Sequence, residues 1–132
     1  MKIRSARVIP LLLLALVSLV VAAGVSAERR PFYCDMNLSS WALLSSLHKV
    51  EHYKATALVF SMAWLAVGNR RLRMAFVLTM LLGVAWEMAE ATALGHTSRL
   101  SDLAPDFVAA FTSLLVAVLI RSLWFRHSLA KS

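Results

Sequence analysis

Long apolar stretches alternate with short polar ones along this chain. The first apolar run, VIPLLLLALVSLVVAAGVSA, occupies residues 8–27, and three more follow at about 50–68, 74–94 and 104–125. Each approaches the roughly 20 residues that an α-helix, rising about 1.5 Å per residue, needs to cross about 30 Å of hydrocarbon. A bilayer core offers no water to backbone N–H and C=O groups, so runs of this length predict helices. Between the first two runs, residues 28–49 form an outer loop in which Leu38, Trp41, Leu44 and Leu47 recur at helical spacing opposite serines. That pattern predicts a short amphipathic helix lying in the membrane interface. Gly68 and Asn69, opening GNRRLR, predict a tight turn between the second and third runs. The expected fold is all-α: one membrane domain over 1–132, a bundle of four transmembrane helices with a short outer amphipathic helix.

The first run has two interpretations. Preceded by MKIRSAR and closed by Val25-Ser26-Ala27, it has the parts of a cleavable signal peptide, but its length favours a span retained as a signal anchor. Composition supports the membrane expectation. Hydrophobic residues make up 60% and charged ones 16%, against about a quarter charged in soluble domains. Cys34 is the single cysteine, which excludes an intramolecular disulfide and a multi-cysteine zinc site.

A net charge of +7 raises the question of nucleic acid, but the basic residues form short clusters flanking apolar runs, with no nucleic-acid motif. They fit a topology signal instead. With the N-terminus cytoplasmic, the inside holds Lys2, Arg4, Arg7, Arg70, Arg71, Arg73, Arg121, Arg126 and Lys131, and the outside holds Arg29, Arg30, Lys49, Lys54 and Arg99. This bias obeys the positive-inside rule and places both termini in the cytoplasm. All the acids then fall toward the outer side.

Ionisable residues within membrane spans are costly and face the bundle interior or water, so their depth is informative. Glu87 and Glu90 lie 13 and 16 residues above Met74; His52 lies 15 above Val67, and Asp106 lies 15 above Arg121. At about 1.5 Å per residue, all four sit roughly 20–24 Å above the cytoplasmic ends of their helices. Lys49, His96, Arg99 and Asp102 are just beyond them. Ala55, Thr56, Ala63 and Ala66 share a stripe with His52, Gly83 and Ala91 with the glutamates, and Ala109, Ala110, Ser113 and Ala117 with Asp106. Small residues at this spacing let membrane helices approach closely, leaving Leu, Phe and Trp for lipid. The polar cluster can act as a clamp between helices or as a pocket for a polar ligand.

HKVEHYKAT, residues 48–56, contains H-x-x-E-H. On a helix this motif would give two zinc ligands, His48 and His52, with Glu51 as the base for a bound water; a third ligand would have to come from elsewhere. A metal-dependent membrane hydrolase is thus one alternative. A small proton-coupled transporter using Glu87 and Glu90 is another, and four helices would have to oligomerise to enclose its path.

The same residues resemble the VanZ-like family of small bacterial membrane proteins. That family has an aspartate-lysine-x-x-histidine start to its second helix, similar to His48-Lys49-Val50-Glu51-His52, and a glutamate-x-x-glutamine end to its third, similar to Glu87-Met88-Ala89-Glu90. In the following loop an arginine, aspartate, asparagine and glycine of the family fall at His96, Asp102, Asp106 and Ala109. The resemblance covers about residues 47–115, with Lys49, His52, Glu87 and Asp102 keeping the family's residue. His48, Glu90, His96, Asp106 and Ala109 depart from it, as in a diverged member. A second group of membrane proteins, with a tryptophan-glutamate-x-x-glutamate helix end and a later aspartate pair, is similar at Trp86, Glu87, Asp102 and Asp106.

The VanZ-like resemblance implies a multi-pass protein of the bacterial cytoplasmic membrane, associated in some members with tolerance of teicoplanin-type glycopeptides. The expected function is non-enzymatic: binding or shielding a polar, envelope-associated ligand through Lys49, His52, Glu87, Glu90, His96, Arg99, Asp102 and Asp106. The expected partners are the lipid bilayer and a glycopeptide, a lipid-linked envelope component or another membrane protein, with a homo-oligomer left open. No cofactor is expected.

Overall fold

The computed structural model describes Ser18 and residues 30–129 and is mostly helical. The rest of the first apolar run, including the alternative cleavage site after Ala27, lies outside the described residues. Four helices follow: α1 (Ser40–Ser46), α2 (Val50–Val67), α3 (Leu72–Glu90) and α4 (Leu103–Leu129).

In α1 the short amphipathic pattern takes a concrete form. Ser39 is its N-cap, with the side-chain oxygen accepting the Ala42 N–H at 3.3 Å. This satisfies one of the backbone donors that a helix start leaves open. Leu38, Trp41 and Leu44 all point outward, Trp41 with 81% of its surface exposed. The opposite side of α1 packs on the turn at Leu100–Asp102 and on the start of α4.

At its far end α2 stops at Gly68, whose φ of 82° lies where an L side chain is strained. A single 3₁₀ turn, Asn69–Arg71, then leads directly into α3. Asn69 ties this corner together: its side-chain oxygen accepts from Trp64 Nε1 at 2.6 Å and its carbonyl from Arg121 Nη1 at 3.3 Å.

The helical stretches Asn69–Glu90 and Leu100–Trp124 are each long and apolar enough to cross a membrane. At about 1.5 Å per residue their 22 and 25 residues reach roughly 33 and 38 Å. α2 has 18 residues but carries Glu51, His52 and Lys54 in its first turns.

α2, α3 and α4 each pack against the other two. Their shared core is Phe60, Ala63, Leu72, Ala75 and Ala117, bordered by Trp64, Val67, Phe76, Leu78 and Leu114. Alanines at Ala63, Ala75 and Ala110 are fully buried, the small-residue seam that permits close helix approach. Leu58, Leu65, Leu81, Leu119 and Trp124 face outward, but Phe60 does not. It fills the space opposite the alanines, so the expectation that every Phe faces lipid is corrected here. Ala55 is likewise exposed, because the buried line runs through Thr56, Phe60 and Ala63.

Two boundaries move. α3 ends at Glu90 rather than near Leu94, as the N–H groups of Thr92 and Ala93 turn to carbonyls three residues back, Ala89 and Glu90. α4 runs on to Leu129, beyond the expected limit near 125. The turn after α3 is also a docking strip, for Arg30 and Tyr33 donate backbone N–H groups to the carbonyls of Thr92 and Ala91, each at 2.9 Å. The chain beyond continues this contact as a two-residue parallel pair, β1 (Cys34–Asp35) against β2 (Ser98–Arg99). A strictly all-α description therefore fails at this one place. Neither strand has a periodicity of its own; pairing is dictated by a partner more than 60 residues away.

Candidate functional site

Opposite the arginine-bearing corner, the bundle ends in polar residues. Lys49 immediately precedes α2, while His52 and Thr56 lie one helical turn apart on its first two turns. Glu87 lies in the last turn of α3, Asp102 closes the 3₁₀ turn Leu100–Asp102, and Asp106 lies in the first turn of α4. Buried Pro105 is tolerated beside it because first-turn N–H groups lack intrahelical acceptors. The positive end of the α4 dipole also favours a carboxylate at this position.

These groups are in contact. Lys49 Nζ donates to Asp102 Oδ2 at 2.5 Å, pairing a half-exposed ammonium with a buried carboxylate. His52 Nδ1 is 3.1 Å from Asp106 Oδ1, which also accepts from the Thr56 hydroxyl at 2.7 Å. Glu87 Oε2 accepts from the Ser98 hydroxyl and from the Arg99 backbone N–H, both at 3.1 Å. A Cβ added at Gly83 would stand 3.2 Å from Asp106 Oδ2, so the glycine is what lets the α4 carboxylate press against α3.

The cluster does not complete its own hydrogen bonding. Glu87 and Asp102 are only 4% and 2% exposed, yet Glu87 Oε1 and Asp102 Oδ1 have no hydrogen-bonding partner. One donor atom from each of His52, Glu87 and Asp102 lies within 4.8 Å of the others. Among the described residues this is the group able to hold a metal ion.

Other expected site residues lie outside this contact. Glu90 accepts from Trp86 Nε1 at 2.7 Å and faces His96 at 3.8 Å, forming a separate rim pair. Arg99 contributes its backbone N–H, while the residue itself is exposed. H-x-x-E-H does not form one helical face. α2 begins only at Val50, leaving His48 in the preceding turn with Nδ1 against the Leu44 carbonyl at 2.9 Å. Glu51 points outward, 84% exposed at the side chain and paired with Lys54.

Ser98 and Thr56 complete the site without having been named among its polar members, although Thr56 was placed on the stripe of His52. Thr56 was legible in principle as the residue four positions after His52 on the same face. Ser98 carried no such signal, because the β1–β2 pairing sets its place. Comparison of the chain with protein-family models, curated proteins and solved structures gives no match.

Proposed function

We propose that this chain is a VanZ-like multi-pass protein of the bacterial cytoplasmic membrane, both termini cytoplasmic, whose outer-face polar cluster binds an envelope-associated polar ligand without catalysing a reaction. The observation that carries this is the pair of buried, unpartnered oxygens, Glu87 Oε1 and Asp102 Oδ1, in one cluster. A clamp serving only to hold helices in register would leave no buried oxygen without a donor. Each unsatisfied buried polar group costs about 1–3 kcal/mol, more when charged, and a ligand that fills both positions removes that cost.

The membrane part is supported by the two long apolar helical stretches and the outward-facing leucines. Arg70, Arg71 and Arg73 at the opposite end suit a cytoplasmic turn. The four residues that keep the VanZ-like pattern, Lys49, His52, Glu87 and Asp102, are also members of the polar cluster.

The test compares Glu87→Gln and Asp102→Asn with the parent chain in a bacterial host, scoring susceptibility to a teicoplanin-type glycopeptide alongside protein abundance in the membrane. A changed susceptibility at equal abundance is expected. Unchanged susceptibility in both variants refutes the proposal.

A further inference from the structure

We infer that the cluster is a binding site for one divalent first-row metal ion, Zn²⁺ by preference, held by His52, Glu87 and Asp102. This rests on the ligand-binding interpretation above and names the ligand's chemistry.

Three independent features converge. The first is how each residue divides its atoms. Glu87 commits Oε2 to Ser98 and Arg99, Asp102 commits Oδ2 to Lys49, and His52 commits Nδ1 to Asp106. Each keeps one atom back: Glu87 Oε1 and Asp102 Oδ1, both buried and unpartnered, and the other ring nitrogen of His52. Metal ligands in proteins are oriented in this way, and a carboxylate holding Nδ1–H leaves Nε2 with the lone pair a cation needs. Asp106, Ser98 and Lys49 are then positioning residues.

The second is distance. An ion about 2.1 Å from each ligand in a tetrahedral site sets the ligand atoms about 3.4 Å apart. One candidate donor atom on each of the three residues lies within 4.8 Å of the others, a spread of the same order as that spacing. The third is charge. Glu87, Asp102 and Asp106 bring three buried acidic side chains together, and Lys49 forms its ion pair with Asp102 alone. A divalent cation would place positive charge beside these acids where charge is screened least.

The donor set selects the metal class. One imidazole with two carboxylates suits Zn²⁺ or Mn²⁺, whereas Ca²⁺ and Mg²⁺ take oxygen ligands almost entirely. Three protein ligands leave a fourth position for water or an anionic group of an envelope molecule. The pair His48 and His52 is not this site, because His48 is turned to the Leu44 carbonyl.

The experiment uses the full chain in detergent, stripped with chelator and titrated with Zn²⁺ alone, with bound metal measured by elemental analysis. Cobalt(II) replaces zinc to read coordination geometry from its visible spectrum. One Zn²⁺ per chain is expected, lost in Glu87→Gln and His52→Ala, retained in His48→Ala, and weakened ten- to a hundredfold in Asp106→Asn. Helical content of each variant is checked by circular dichroism, and the cobalt spectrum of the unmutated chain needs no variant. Absence of stoichiometric Zn²⁺, Mn²⁺ or Co²⁺ from the unmutated chain overturns the inference, as does undiminished binding in folded Glu87→Gln. If metal is absent while Glu87→Gln still changes glycopeptide susceptibility, the metal site fails and the binding role stands. If metal binds at these residues and susceptibility never changes, the metal site stands and that role fails.

Discussion

Replacing Lys49 should cost more than replacing the aspartate it pairs with. In metal-free protein, the Lys49 ammonium is the hydrogen-bonding partner of Asp102 Oδ2, while Oδ1 has none. The Asp102 side chain is 3% exposed and that of Lys49 39%. Lys49→Met therefore leaves a carboxylate that cannot reach water, and breaking a buried pair in this direction costs about 3–5 kcal/mol. Asp102→Asn leaves an ammonium that can turn to solvent and an amide oxygen that still accepts, so about 1–2 kcal/mol is expected. The double variant Lys49→Met with Asp102→Asn should recover part of the larger loss, because the buried charge is gone. Reversible unfolding in mixed micelles of mild detergent and SDS, with chelator present, measures all three. Equal costs for the single variants, or a Lys49→Met cost below about 1 kcal/mol, would show that Asp102 is not held as a buried charge.

Thr56→Val keeps the shape of the side chain and removes the hydroxyl donor to Asp106 Oδ1, so a loss of about 1.5–3 kcal/mol is expected in the same unfolding assay. A loss under about 0.5 kcal/mol would mean His52 alone suffices for that carboxylate. For orientation, single cysteines are placed at Asn37 and Asn69, both exposed, in a Cys34→Ser background. A membrane-impermeant maleimide should label the first and not the second in intact cells; the reverse pattern would invert the proposed topology.

How far the site was legible differs from residue to residue. Depth counting from helix ends anticipated that His52, Glu87 and Asp106 share a level, because rise per residue is a property of the helix alone. It could not say which acid meets which base. Lys49 takes Asp102, His52 takes Asp106, and Glu87 is served by a hydroxyl and a backbone amide rather than by any of the cations near it in sequence. H-x-x-E-H illustrates the limit most sharply. Its spacing makes one face only if the helix includes both ends, and α2 starts two residues after His48.

Local sequence determined the helices and their corners: apolar length for α3 and α4, Ser39 capping α1, and Gly68 permitting the positive φ of the corner. These follow from interactions spanning a few residues, so they need no knowledge of the rest of the chain. Tertiary structure decided what depends on rotation about each helix axis and on distant partners. It turned Phe60 inward and Glu51 outward, brought Ser98 to Glu87 through a strand pair, and left one buried oxygen each on Glu87 and Asp102 without a partner. Hydropathy can mark such an oxygen as polar. Only the packed helices determine whether anything in the protein reaches it.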